Sequence, residues 1–163
     1  MVRHCHDPAN RRFGKGHHSE SRNYQLDMAK QEKTPRGIRN NNPLNIRIGN
    51  TWLGEVLNPT DPEFEQFVNM LYGYRAAFVI LRRYIRRYRK NTIATIVSTW
   101  APSSENNTAR YIDVVSKLMG MAPDKVIDYE DKKTMVRLVS SMQVMECGCA
   151  GRDDEISKAY DMA

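Results

Sequence analysis

Histidine is missing from most of this sequence. All four histidines (His4, His6, His17 and His18) lie within the first 18 residues, in a polar stretch without helical or strand periodicity. Activation of a Ser or Cys nucleophile usually depends on imidazole, and so do most catalytic zinc sites. Chemistry in the remaining residues must therefore use carboxylates, tyrosine, asparagine, arginine or the backbone. A glycine-rich phosphate loop is also missing, and we expect no metal and no cofactor.

Long apolar runs and well-spaced cysteines are scarce as well. The 163 residues have a mean hydropathy of -0.64, and no apolar run approaches the roughly 18 residues of a membrane span. Residues 1–16 contain no continuous apolar stretch with a small-residue cleavage site, so we expect no secretory signal peptide. Cys147 and Cys149 are too close for an unstrained mutual disulfide, and Cys5 is the third cysteine. We therefore expect a reduced resting state and no disulfide framework.

A change in composition near residue 35 divides the chain. Residues 1–34 form a mildly basic polar leader that we expect to be disordered, and Met28 is an alternative start of translation. Residues 35–149 are expected to form one domain, followed by a short C-terminal helix in residues 150–163.

The domain is predicted to be mostly helical. Apolar residues recur at intervals of three and four in residues 71–90, 93–100, 109–119 and 131–147. Before these helices, apolar and polar residues alternate in residues 44–48, and Gly49-Asn50 marks a turn ahead of residues 51–53. This pattern predicts a small β-hairpin. The expected fold class is α+β, predominantly helical, with one hairpin near the start.

The first motif that could carry chemistry is RGIRNNNPLNIR, residues 36–47. It places four asparagines within six residues. Their side-chain amides donate and accept hydrogen bonds without carrying charge, which suits the hydroxyl and acetamido groups of a sugar. Asparagine also tolerates left-handed backbone and caps turns, so a purely structural role is the alternative.

The second motif is WAPSSENNT, residues 100–108, which precedes Tyr111. Glu105 lies in this predicted loop between two apolar helices, close in sequence to Trp100 and Tyr111. Partial burial would raise the pKa of its carboxyl group and let it donate a proton near neutral pH, as the acid of a glycosidase does. The alternative is that Glu105 only stabilises the N-terminus of the following helix.

Aromatic and basic residues offer two further surfaces. Trp52 stands next to a Gly-Asn turn and could stack on a sugar, whereas packing better explains Phe64 and Phe67. Arginines crowd the predicted helix from residue 82 to Lys90. They could bind the phosphates of nucleic acid or an anionic cell-envelope polymer, or they could form an ordinary solvated helix face.

Taken in order, these motifs resemble a family of phage and prophage virion-associated proteins. The resemblance covers about residues 35–128 and is carried by RGIRNNNPLNIR, Trp52, Gly54, Asp61-Pro62, Phe64, Phe67, Gly73, Arg75, Ala76 and WAPSSENNTARYIDVV. Members are often described only as structural proteins and are related to the peptidoglycan-cutting lysin of an enveloped double-stranded RNA phage. The resemblance implies a lysozyme-like helical domain that acts on peptidoglycan as a muramidase or lytic transglycosylase.

Residues 42–47 are also similar to the NN-x-FGIK hairpin of bacterial glucosaminidases, which follows a catalytic Glu on an upstream helix. No acid upstream of Arg36 lies on an apolar-periodic helix, so either Glu105 replaces that acid or the domain binds glycan without cutting it. A hydrolase would need a second carboxylate, for which the candidates are Glu55, Asp61 and Asp113. A transglycosylase could use one Glu as acid and then as base.

On this interpretation Glu105 is the catalytic residue. The residues expected to bind glycan are Asn42, Asn45, Arg47, Trp52, Asn107 and Tyr111. The partners would be peptidoglycan glycan strands and other virion proteins, and the protein would be made in the bacterial cytoplasm and act at the cell wall or in a virion. The alternative is a non-catalytic virion or mobile-element protein that binds cell-wall polymer or nucleic acid through its Arg-rich helix.

Overall fold

The computed structural model describes residues 34–104 and 106–163, and six helices follow one another in that part of the chain. Their bounds are Arg36–Arg39 for α1, Met70–Tyr88 for α2, Ile93–Trp100 for α3, Thr108–Met119 for α4, Lys132–Cys147 for α5 and Asp153–Asp161 for α6. The prediction of a mostly helical fold is confirmed. The predicted leader and the alternative start at Met28 lie outside the described residues.

Polar residues between the helices set most of the helix ends. The side chains of Asn69, Thr92, Asn107 and Asp131 each accept a hydrogen bond from a backbone NH in the first turn of α2, α3, α4 and α5. These bonds satisfy donors that a helix leaves unpaired at its start. Gly120 ends α4 in the left-handed conformation, which glycine adopts without steric cost.

Short extended segments pair in the region where the sequence predicts a hairpin. Backbone hydrogen bonds pair residues 46–48 with residues 63–65, and residues 54–56 with residues 66–68. Residues 63–68 thus take the partner role that the sequence pattern assigns to residues 51–53. Alternation identifies an extended segment, but it does not identify the segment with which it pairs.

One buried core contains residues from both the extended region and the helices. Leu44 and Phe67 from the extended region pack into the same apolar cluster as Phe78 of α2. The C-terminal helix α6 contributes Ile156 and Ala159 to this cluster, so it belongs to the same core as the preceding helices. None of the described helices is both long and apolar enough to cross a membrane.

Helix α2 approaches the asparagine-rich segment so closely that it requires glycine at the contact. A Cβ atom at Gly73 would lie 2.0 Å from the carbonyl oxygen of Asn41 and 2.8 Å from the ring of Pro43. Asn41 itself has a left-handed backbone, with φ 51°. The absence of a side chain at Gly73 therefore sets where residues 41–45 lie against the longest helix.

Asp61 ties the start of the domain to the extended region. Its carboxylate accepts hydrogen bonds from the Arg36 guanidinium at 2.6 and 2.7 Å and from Nδ2 of Asn40 at 2.7 Å. The backbone NH groups of Glu63 and Phe64 donate to it at 3.0 Å. These donors, Arg36 above all, hold the pKa of Asp61 far below its usual range. A carboxylate so weakly basic and so fully bonded is poorly suited to activate a water molecule.

Protonation of Asp61 should weaken the fold. Because the pKa of Asp61 is lower in the folded than in the unfolded chain, its charge stabilises the fold above the unfolded value of 3.8, and this stabilisation is lost as the pH falls through the folded value. We expect Asp61→Asn to lower the urea midpoint of unfolding at pH 7, and we expect this difference to shrink below about pH 4. Asp113→Asn, which removes an exposed pair with Lys117, is the control and should change little. If the urea midpoint of Asp61→Asn stays below that of the native chain by the same amount down to pH 2, this role of Asp61 is contradicted.

Candidate functional site

Glu105, the predicted catalytic residue, lies outside the described residues. Two of the predicted glycan-binding residues, Asn45 and Tyr111, converge instead on Glu146 in the last turn of α5. Oε2 of Glu146 accepts a hydrogen bond from Nδ2 of Asn45 at 2.9 Å, and its Oε1 accepts one from the hydroxyl of Tyr111 at 3.0 Å. We call these three residues the Glu146 cluster. The two long sequence motifs meet there, since each supplies one donor.

The surroundings of Glu146 favour its protonated form. Burial raises the pKa of its carboxyl group, and the hydrogen bonds from Asn45 and Tyr111 only partly oppose that rise. Burial, and next the neighbouring carboxylate, raise the pKa of Tyr111 well above its usual value, so its hydroxyl keeps its proton and donates it to the bond. Glu146 nevertheless remains half-buried, not enclosed. A carboxyl group with a raised pKa that is still reachable can serve as a general acid.

Local contacts hold the two motifs together beside Glu146. The indole NH of Trp100 donates to the carbonyl of Leu44 at 3.2 Å, directly before Asn45. Asn45 has a left-handed backbone, with φ 50°, which turns its side chain out of the extended path of the segment. The hydroxyl of Thr108 donates to the carbonyl of Ala101 at 2.6 Å and so closes the loop between α3 and α4.

Two other predicted glycan-binding residues support the backbone. Asn42 is fully buried; its Nδ2 donates to the carbonyls of Ile46 and Glu65, and its Oδ1 accepts the NH of Ile46. Both ends of its amide are thus bonded to backbone inside the core, where a sugar does not reach them. The side chain of Asn107 accepts from the NH of Arg110 and caps α4. For these residues the structure supports the turn-forming and capping role.

Arg47 and Trp52, the remaining two, lie beside other side chains. Arg47 is exposed, and its guanidinium lies 5.2 Å from the centre of the Phe64 ring. Trp52 lines an open groove of about 440 Å³ beside the arginine-rich half of α2. The residues that line this arginine groove are Asn50, Thr51, Trp52, Val79, Arg82, Arg83, Arg86 and Arg87. The tryptophan and the arginines, which are far apart in the sequence, therefore share one surface.

Glu65 is a second buried carboxylate, but it is more enclosed than Glu146. Only 8% of its surface is exposed, and burial, with a smaller contribution from the nearby charge of Glu55, raises the pKa of its carboxyl group. The backbone NH groups of Gly49 and Asn50 face it. A substrate reaches a half-buried group more readily, so Glu146 is the better candidate for proton transfer.

The cysteines beside the cluster are not arranged for catalysis. Cys147 has a buried free thiol, and burial raises its pKa to about 12, which makes it a poor nucleophile. Cys149 is disulfide-bonded, so the expectation of a fully reduced chain is wrong at this residue. Within residues 34–104 and 106–163, no group of three His, Cys, Asp or Glu side chains is placed to hold a metal ion.

The position of Glu146 in the apolar pattern of α5 is a signal that the sequence contains. The buried stripe of α5 includes Met135, Val139 and Met142, and the next position on that stripe is Glu146. A carboxylate that continues an apolar stripe is placed at the edge of the core, where burial shifts its pKa. Such a residue is a candidate for function on its pattern alone.

Comparisons with known proteins point to phages. No family model matches the chain. Protein P5 of Pseudoalteromonas phage PM2 is 38% identical to it over 131 residues, which cover 77% of this chain and 80% of the phage protein. Identity at this level over most of both chains confirms the phage part of the resemblance drawn from the motifs.

Proposed function

Since the chain belongs to the family of Protein P5 of phage PM2, we propose that it is a phage peptidoglycan-cutting glycosidase whose acid is Glu146. The observation that carries this proposal is the Glu146 cluster, in which both resemblance-bearing motifs supply a hydrogen-bond donor to one half-buried carboxyl group with a raised pKa. A glycosidase acid needs these properties, because it must hold a proton near neutral pH and release it in the transition state.

The carboxyl group of Glu146 donates its proton to the oxygen between two sugars as the bond from the anomeric carbon to that oxygen breaks. The carboxylate that this leaves is stabilised by Asn45 and Tyr111, whose hydrogen bonds favour the ionised form. Glu146 then acts as the base. It accepts a proton either from a water molecule, whose oxygen bonds to the anomeric carbon and gives a reducing end, or from the 6-hydroxyl of the same sugar, whose oxygen bonds to that carbon and closes an anhydro ring.

The second route fits the surroundings better, because the candidate partner carboxylates have other roles. Asp61 is bonded to Arg36, and exposed Asp113 pairs with Lys117 at 2.7 Å on the same helix. Glu55 accepts the backbone NH of Trp52 at 2.8 Å. A lytic transglycosylase needs one Glu only, and we therefore favour that reaction over hydrolysis.

Glu105 remains the second candidate acid. Its loop directly precedes α4, which carries Tyr111, and Thr108 closes that loop on Ala101. If Glu105 supplies the proton, Glu146 holds Tyr111 and Asn45 in place.

Product analysis tests the proposal. The full chain is incubated with purified peptidoglycan, and the released fragments are analysed by mass spectrometry. We expect fragments with anhydro ends, and we expect Glu105→Gln to release them at a rate close to that of the native chain. Fragments with reducing ends would show that the reaction is hydrolysis and not transglycosylation. Loss of fragment release in Glu105→Gln would show that Glu105 is the acid. If the folded native chain releases nothing, the glycosidase proposal is wrong.

A further inference from the structure

The arginine groove carries a function that the Glu146 cluster does not explain. We propose that it is a binding site for single-stranded nucleic acid, in which Arg82, Arg83, Arg86 and Arg87 contact phosphates and Trp52 stacks on a base. The proposal concerns a separate surface and does not depend on peptidoglycan cutting.

Positive charge is concentrated at this groove. Residues 34–163 contain 18 Lys and Arg against 15 Asp and Glu, and six of these basic residues lie within residues 82–90. The remainder of residues 34–163 therefore has 12 basic against 15 acidic residues and is slightly acidic. Among the residues that the structure describes, no acidic one lines the groove. Charge separated in this way attracts a polyanion to one surface and leaves the others neutral or repulsive.

Two of the arginines have their charge available for a ligand. Arg82 and Arg83 form no ion pair with any acid of the described residues. Arg86 pairs with Glu130 at the border of the groove, and the guanidinium of Arg87 lies 5.7 Å from the ring centre of Tyr88. Arg82 and Arg86 are one helical turn apart, as are Arg83 and Arg87, so the charges form two rows along α2.

The chemistry of the lining favours a nucleotide chain over a neutral glycan. An uncharged sugar does not require four positive charges in its binding site, whereas each guanidinium can bind a phosphate through two parallel hydrogen bonds. Trp52, half-buried at the wall of the same groove, offers an aromatic surface, and a base can stack on such a surface whatever its identity. A duplex hides its base faces, so a single strand is the form that can use both features.

Anisotropy of a labelled 12-nucleotide oligothymidylate, titrated with the full chain at several salt concentrations, tests the site. Arg82→Gln with Arg83→Gln should weaken binding at least about tenfold and reduce the slope of log K against log salt by about 1.4, because a single strand contributes about 0.7 per phosphate contact. Lys125→Gln with Lys158→Gln removes the same net charge from exposed positions elsewhere and should change affinity less than about twofold.

Two single variants separate stacking and local charge from general electrostatics. Trp52→Leu should weaken binding about tenfold and leave the salt slope unchanged. Glu130→Gln frees Arg86 from its ion pair and should tighten binding, an effect that damage to the fold would not produce. A thermal unfolding curve of each variant shows that the fold is kept.

Three outcomes would overturn the proposal. The first is equal weakening by the two double variants, which would show non-specific attraction. In the second, Trp52→Leu would keep full affinity while a 12-base-pair duplex binds better than the single strand, which would show a phosphate surface without stacking. In the third, anionic phosphatidylglycerol vesicles would bind to the groove and the oligonucleotide would not. None of these measurements depends on whether the chain cuts peptidoglycan.

Discussion

Glu146→Gln is expected to slow the release of peptidoglycan fragments at least about 100-fold, which is the usual contribution of a positioned general acid. Glutamine has the same size and still offers one oxygen to the donors Asn45 and Tyr111, but it has no proton to give at neutral pH. The measurement is the initial rate of release at pH 7, with a thermal unfolding curve to show that the variant is folded. Glu130→Gln, an exposed change of the same kind, should keep the native rate.

The pH profile provides a second readout of the same role. The hydrogen bond from Tyr111 favours the ionised form of Glu146, so Tyr111→Phe should raise the pKa of this carboxyl group further. The acid then keeps its proton to higher pH, and the alkaline limb of the rate profile should move upwards. A profile that does not move, or Glu146→Gln with more than a tenth of the native rate, would exclude Glu146 as the acid.

The largest loss of stability is expected from Gly73→Ala. The new Cβ atom would lie 2.0 Å from the carbonyl oxygen of Asn41, which is backbone and cannot move without displacing the asparagine-rich segment. Overpacking of this kind costs about 3 kcal/mol or more in the free energy of unfolding. For a domain of this size, we expect a melting temperature about 10 °C lower, measured by circular dichroism.

Gly120→Ala is the matched control for this change. Gly120 also needs an unusual backbone, with φ 62°, but a Cβ atom there would meet no atom of the described residues within 4 Å. Its cost is therefore the left-handed conformation alone, about 1 kcal/mol. If the two variants melt at the same temperature, the close contact between α2 and the asparagine-rich segment does not contribute to stability in the way that we expect.

Most of the helices could be predicted because their determinants are local. The periodic apolar residues of α2 and α5 and the cap residues Thr92 and Asp131 fix helix positions to within a few residues. The extended region could not be predicted in the same way, since residues 46–48 pair with residues 63–65 across an intervening loop. Nothing in an alternating pattern encodes the identity of a distant partner.

The candidate site was only half predictable for the same reason. Asn45 and Tyr111 stand out within motifs, whereas the sequence marks Glu146 only as a carboxylate that continues the apolar stripe of α5 and does not show which donors it meets. Its shifted pKa arises from burial, which depends on how α5 packs and not on its neighbours along the chain. Trp52 and the arginines of α2 are likewise recognisable one by one, whereas the groove between them exists only in the folded domain.

The three residues of the Glu146 cluster lie far apart in the sequence, and this separation determines when the site can form during synthesis. Asn45, Tyr111 and Glu146 leave the ribosome in that order, and the contact between Asn45 and Glu146 spans 101 residues. A nascent chain that has reached the end of α4 displays both motifs but contains neither the carboxylate nor the helix that buries it. The complete cluster therefore appears only when α5 docks, so a chain cut short before α5 would lack the acid that we propose.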